Sequence, residues 1–329
     1  EAWRLTGTWN AEFRKCETIN CFHGAIIAGR NVHTVFNTCN FVRGATGSGT
    51  GISTGIQQVI AGGVRAEDIQ VKNCLLFGFG YALDIANVLV MHAEGCDFDF
   101  CVNTCVRIVI VDGGGSIKSS WLYIVDATNT ETGIDFIGIG SDLQSKFIVF
   151  GNYIEKATNT SPLVGMDGIF VGVNRRGLEI DKNTIVNFHT SANITSPNVK
   201  YTNNKDKGMT TSLSISEFAN RCYVHGNEFA GPVNRHPNAS VIFGTNEGVT
   251  TKEVFTVTLV AGNASVTTTW AALGLPNAPA NSSFSVSANN ITTTNLGWMR
   301  GRASATSVTV EVETAPAGNT QLDVTVTAF

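Results

Sequence analysis

Short blocks of alternating polar and apolar residues run through most of this chain, and seven of them share one signature. A small polar residue or Cys is followed by any residue and then by a large apolar one. The blocks are Cys39-Asn40-Phe41, Cys74-Leu75-Leu76, Cys96-Asp97-Phe98, Ser120-Trp121-Leu122, Asn152-Tyr153-Ile154, Asn183-Thr184-Ile185 and Asn227-Glu228-Phe229. They recur at roughly 20 to 45 residues, the range of solenoids, propellers and arrays. Period-two alternation marks strands, and no stretch beyond about two turns carries a convincing 3.6-residue period.

Each repeat reads as an approach strand, the signature strand, a turn and a return strand. Approach strands include Asp68-Ile69-Gln70-Val71 and Lys146-Phe147-Ile148-Val149. Return strands read Gly51-Ile52-Ser53, Leu83-Asp84-Ile85, Val106-Arg107-Ile108, Ile134-Asp135-Phe136, Ile169-Phe170-Val171, Leu213-Ser214-Ile215 and Val241-Ile242-Phe243. Short strands in repeating order predict an all-β chain whose residues 1–248 form a parallel β-helix. Its hand is expected to be right, as parallel crossovers almost always are. Phe41, Leu76, Phe98, Leu122, Ile154, Ile185 and Phe229 would point inward as one core column. Asn152, Asn183 and Asn227 share a turn position, where stacked amides can satisfy turn backbone and one another.

The segment 190–211, rich in Asn, Thr, Ser and Lys, is predicted as a projecting loop. After about Gly248 the composition shifts to Thr, Val, Ala, Ser and Asn. Turn signals at Gly262-Asn263, Pro276-Asn277 and Pro316-Ala317-Gly318 separate strands such as Val254–Thr258 and Val308–Val312. Residues 249–329 therefore predict a compact antiparallel β-sandwich.

Composition narrows the picture. Hydrophobic residues make up 43% and charged residues 15%, so a large core is possible under a sparsely charged surface. The net charge of −4 and the absence of a basic run argue against nucleic acid as a partner. Neither a signal peptide nor a membrane-spanning run is visible, so no membrane insertion is expected. Eight cysteines in a chain of this length do not make a small secreted disulfide framework. Three share the signature position and read as small packing residues, reduced in a cytosol where the chain is assembled. Cys101 and Cys105 lack a second ligand pair, so no metal site is expected, and nothing points to a cofactor. The chain opens on Glu1 rather than Met, which reads as a fragment missing an upstream segment.

A parallel β-helix followed by a small β-sandwich resembles the tailspike proteins of bacteriophages. The likeness covers nearly the whole chain but lies in architecture, with no short diagnostic motif. It implies a homotrimer on the virion tail that binds and cuts capsule or O-antigen polysaccharide at the bacterial surface. It also implies attachment to the phage particle through an N-terminal region, with the sandwich as trimer clamp and cap.

Outward positions then become columns to search for chemistry. Beside the inward residues lie Asn40, Leu75, Asp97, Trp121, Tyr153, Thr184 and Glu228, and two places on Val42, Phe77, Asp99, Tyr123, Glu155, Val186 and Ala230. Trp121, Tyr123 and Tyr153 beside Asp97, Asp99 and Glu155 suggest a saccharide site, rings stacking on sugar faces and carboxylates reaching hydroxyls. Asp99 and Glu155, two rungs apart, would sit at about 9.5 Å by strand spacing, close to the inverting glycosidase range. On this reading Glu155 is the acid and Asp99 or Asp97 the base; a subunit contact is the bland alternative for the same rings.

The return strands supply a rival column of Ser53, Asp84, Arg107, Asp135, Phe170 and Ser214. Its plain reading is an ion-pair ladder, with Arg107 flanked by Asp84 and Asp135. Its sharper reading is a second carboxylate pair beside a substrate-binding arginine. His92 with Glu94, and Glu179 with Asp181, read as solvated strand faces. Asp112-Gly113-Gly114-Gly115-Ser116 lacks the Lys and helix of a phosphate loop and reads as a turn. Three functions compete: a glycoside hydrolase, a polysaccharide lyase drawing on Arg107 and Lys118, and a non-catalytic carbohydrate-binding adhesin.

Overall fold

The computed structural model describes residues 1–43, 52–61, 63–111, 113–125, 132–137, 146–157, 163–172, 177–249, 252–273, 275, 278, 284–290, 296–297 and 299–328. Its strands stack in parallel as the repeat requires. Among the described residues, eight signature strands form one sheet that runs from Glu17–Ile19 to Lys205–Lys207. The approach and return strands form a nineteen-stranded sheet around the remaining sides. The two runs are joined by the long strand Tyr81–Glu94, whose first half pairs with return strands and whose second half pairs with approach strands.

The predicted inward column is the core. Phe41, Leu76, Phe98, Leu122, Ile154 and Ile185 are fully buried, and Phe229 nearly so. Each such side chain contributes about 1.5–3 kcal/mol when taken out of water. The corner beside this column must be small, since a Cβ on Gly24, Gly55, Gly133 or Gly168 would meet a carbonyl oxygen or a core side chain within 2.7 Å.

The signature position forms one continuous hydrogen-bonded ladder. The Ser120 N–H donates to Asn152 Oδ1, the Asn152 N–H to Asn183, Asn183 to Asn204, Asn204 to Asn227, and Asn227 to Asn246, at 2.9–3.0 Å. Cys39, Cys74 and Cys96 continue the column toward the N-terminus, where the Cys39 N–H meets the Cys74 Sγ. All eight cysteines are free thiols. Burial pushes Cys74 up to about 12 and Cys96 to about 11, so these thiols are packing groups.

Four expectations change. Residues 190–211 are not a projecting loop but a full rung, with strands Thr190–Ile194, Lys200–Thr202 and Lys205–Lys207. The rung is hard to see because Asp206 occupies the inward position opposite Ile185, where a large apolar residue is expected. Lys205 and Lys207 therefore stand in the outward columns, Lys207 next to Val186 where Ala230 was expected. In the rival column, Gln57 rather than Ser53 pairs with Asp84, because the return strand begins at Thr54. Val241-Ile242-Phe243 pairs with the approach strand Asn220–His225, and Val233–Arg235 is the return strand of that rung.

Beyond the solenoid, two three-stranded antiparallel sheets enclose a second core. One contains Lys252–Leu259, Phe284–Asn290 and Thr320–Ala328, the other Ser265–Thr269, Met299–Ala303 and Ser307–Val312. Trp270, Leu259, Val308, Val310, Leu322 and Val324 fill the space between them. The Trp270 indole N–H donates to the Ser304 carbonyl at 3.0 Å, satisfying the buried polar end of the ring. Among the described residues the one helical element is the 3₁₀ turn Ala271–Leu273. The turn expected at Pro276-Asn277 lies outside the described residues.

Candidate functional site

Two outward surfaces of the solenoid bring chemistry together. The first is on the eight-stranded sheet. Asp97 pairs with Trp121 and Trp121 with Tyr153, while Tyr123 pairs with Glu155, as the repeat predicts. Trp121 is 41% exposed and Tyr153 43%.

One residue was missed here. Between Phe98 and Cys101 the strand carries an extra residue against its neighbour, so Asp99 has a partner in Phe77 but none across in Tyr123. Phe100 adopts the left-handed conformation, with φ of 53°, and turns its ring outward, 44% exposed. It lies between two of the rings on this face, 4.9 Å from Phe77 and 5.6 Å from Tyr123. Trp121 stands 5.7 Å beyond Tyr123, completing a row of four rings. Strict period-two counting hides Phe100, because a bulge breaks the alternation. Asp99 Oδ1 accepts the Phe100 N–H at 2.8 Å and so helps to close the bulge. Burial raises Asp97, with the Asp99 charge adding to it, and burial raises Asp99. One oxygen of Asp97 is buried with no donor.

The second surface is the rival column on the return run. Register places Gln57, Asp84, Arg107, Asp135, Phe170, Asn193 and Ser214 side by side. Arg107 grips Asp84 with two hydrogen bonds, from Nε at 2.8 Å and from Nη2 at 2.9 Å. Its guanidinium also lies over the Tyr81 ring at 4.4 Å. The ion-pair reading is thus realised on one side of Arg107. On the other side Asp135 keeps a buried Oδ1 with no donor.

Asp167 joins this surface from the adjacent outward column, opposite Thr132 and Thr190. The Asn193 amide, on the next rung away from Asp135, donates to its Oδ2 at 3.1 Å. Burial pushes Asp135 up to about 6, Arg107 opposing and the Asp167 charge adding to the rise. Burial likewise pushes Asp167 up to about 6, against hydrogen bonds from Asn193 and Thr190. The sequence reading passed over Asp167 because it sits outside the counted columns, at the corner before Gly168.

Arg107 and Lys118 do not converge, because Lys118 lies on the approach run between Glu94 and Phe150. The remaining candidates have local partners. His92 shares a hydrogen bond with Ser116, Glu179 pairs with Lys146, and Asp181 accepts from Thr202 and Asn203. Asp112 of the glycine-rich turn lies outside the described residues. No group of three or more His, Cys, Asp or Glu side chains placed to hold a metal occurs among the described residues.

No family model matches the chain. Over 186 residues it is 32% identical to the tail spike protein of Shigella phage Sf6, a match covering 53% of this chain and 30% of that protein. The chain thus spans less than a third of its relative's length. Two solved structures are more distant. The tailspike gp49 of Acinetobacter baumannii phage Fri1, described as a capsular polysaccharide depolymerase, aligns at a TM-score of 0.33 and 11% identity, covering 93% of this chain and 72% of that one. The tailspike gp49 of Pseudomonas phage LKA1 aligns at 0.32 and 9%, covering 99% of this chain and 67% of that one. Likenesses this distant do not bear on the chemistry.

Proposed function

We propose that this chain, a relative of the phage tail spikes, is a virion-tail protein that binds a bacterial surface polysaccharide and hydrolyses its glycosidic bonds. The observation that carries the reading is the row of rings Phe77, Phe100, Tyr123 and Trp121 on an open solenoid face, flanked by Asp97, Asp99 and Glu155. A flat, extended, partly exposed row of rings suits the apolar faces of successive sugars. Carboxylates interleaved with the rings accept the hydroxyls that project between them. Tyr153, beside Trp121, extends the platform by one rung.

Hydrolysis is favoured over β-elimination because carboxyls dominate both surfaces and, among the described residues, the outward lysines of the ring-bearing sheet, Lys205 and Lys207, stand two rungs beyond Tyr153 and Glu155. Arg107 is already committed to Asp84. The carboxyls that could act as acid and base are those beside the rings, Asp97, Asp99 and Glu155, or those of the return run, Asp84 and Asp135 with Asp167. A homotrimer is part of the same reading, since the apolar solenoid edges need cover.

The test is a digest. A panel of purified capsular and O-antigen polysaccharides is incubated with the protein and followed by size-exclusion chromatography. The expected result is progressive shortening of at least one polymer. A polymer bound tightly but left at full length would identify an adhesin instead.

A further inference from the structure

We propose that Asp135 and Asp167 on the return run are the carboxyl pair that cleaves the glycosidic bond, with Arg107 and Asp84 as positioning residues. The inference rests on the reading of the chain as a glycan hydrolase and assigns its reacting centre.

The two surfaces differ in what holds their carboxyls. On the ring face, Asp97 also keeps a buried oxygen with no donor, and Asp99 is tied to the backbone of its own bulge. On the return run, each carboxyl is fixed by neighbours that leave it something to do. Asp84 is fully engaged by Arg107 and by Gln57, so it supports rather than reacts. Asp135 lies on the far side of Arg107, with an oxygen that no donor satisfies. Such an oxygen favours the protonated acid over the carboxylate. Asp167 has the opposite surroundings, because the Asn193 amide and Thr190 both stabilise its charge. Asp135 is therefore the proton donor and Asp167 the base.

Separation fits the same assignment. Asp135 pairs with Phe170, and Asp167 stands three residues earlier on that neighbouring strand. One rung across and three residues along place the backbones roughly 11 Å apart. Carboxyls that reach toward each other over that span would meet the roughly 6.5–9.5 Å of inverting enzymes. Asp206 is also held near 6 and buried, but it occupies the inward column opposite Ile185, whereas Asp167, equally buried, stands in an outward column.

The chemistry balances without a cofactor. Asp135 gives its proton to the leaving glycosidic oxygen as the bond to the anomeric carbon breaks. Asp167 takes a proton from the water that forms the new bond to that carbon. The products are a hemiacetal of inverted configuration and an alcohol, and solvent returns both carboxyls to their starting state. Phe170, in the same column as Asp135, and Tyr81 under Arg107 flank the position where a neutral sugar ring would lie.

The charged and titratable groups on this face are Arg107 and Asp84 from the rungs on one side, with Tyr81 and, five rungs from Asp167, His23 in the Asp167 column. Thr190 and Asn193 face it from the other side. Both carboxyls are held near 6, so turnover should peak near pH 6 and fall on both sides.

Asp135→Asn, Asp167→Asn, Asp99→Asn and Glu155→Gln are to be assayed on a polysaccharide that the parent protein cleaves. The first two are expected to lose about a thousandfold in kcat with little change in KM, within the usual reach of general acid–base catalysis. The last two are expected to keep kcat within about tenfold while KM rises, as loss of uniform binding does. Thermal unfolding at neutral pH checks that Asp135→Asn and Asp167→Asn fold. If these two stay active while Asp99→Asn or Glu155→Gln is dead, the centre lies on the ring face and the assignment is overturned. If the parent protein itself cleaves nothing it binds, the hydrolase reading has failed first.

Discussion

Arg107 donates to both oxygens of Asp84, at 2.8 and 2.9 Å, and leaves its other neighbour, Asp135, with a buried oxygen that has no donor. The asymmetry makes Arg107→Met a two-part prediction. Asp84, nearly buried, would lose its guanidinium and keep only the Gln57 amide. The cost is expected at about 3 kcal/mol, since removing one partner strands the other. Asp135 would also lose the cation that holds it down, so the alkaline limb of the pH–rate profile should move to higher pH. Unfolding and rate measurements on one preparation check both parts, and an unmoved limb would remove Arg107 from the site.

Asp135 and Asp167 should destabilise the fold at neutral pH. Their folded pKa values of about 6 lie above the ordinary 3.8, so the folded state holds these protons more tightly than the unfolded chain does. The stability they contribute is present below about pH 4 and is lost as pH rises through about 6. Asp167→Asn should therefore stabilise the protein by on the order of 2 kcal/mol at pH 7.5 and by almost nothing at pH 4. Denaturant unfolding at the two pH values measures this. A variant that gains stability while losing activity is the signature of strain kept for function.

The amide ladder should be the most sensitive part of the solenoid to small changes. Asn183→Ala removes the acceptor for Asn152 and the donors to the Val149 and Asp181 carbonyls. The loss is expected at about 2–3 kcal/mol, because buried backbone groups are left unpaired. Asn183→Ser should cost less, since Ser120 fills the same position and its hydroxyl accepts from the Cys96 N–H. Unfolding rates in denaturant would rank the two, and equal losses would contradict the ladder's role.

Truncating the exposed rings should leave the fold intact and weaken glycan binding. Trp121→Ala and Tyr153→Ala remove side chains that lie outside the core. Each is expected to weaken polysaccharide binding roughly tenfold, about 1.4 kcal/mol, with no shift in melting temperature. Phe100→Ala should join them, and Phe100→Gly should keep the bulge, since glycine adopts its left-handed conformation freely. Calorimetric titration with oligosaccharide makes the comparison.

Much of this could be read from the chain, because a parallel stack repeats one physical demand on every rung. The inward column from Phe41 to Phe229 follows from that demand alone. Residues that break the rule were invisible to it. Asp206 takes an inward place and disguised a whole rung, while Phe100 sits on an extra residue that alternation cannot count. Asp167 belongs to a corner, where pairing skips a position between Asp167 and Ile169. The most informative polar residues stand where the repeat is least regular.

The central claim is hydrolysis of a surface polysaccharide, and a single digest tests it most directly. Reducing ends and ultraviolet absorbance are followed together as the polymer shortens. The account predicts one new reducing end for each chain break with no gain in absorbance. Shortening accompanied by an absorbing, unsaturated product would contradict it and establish a lyase.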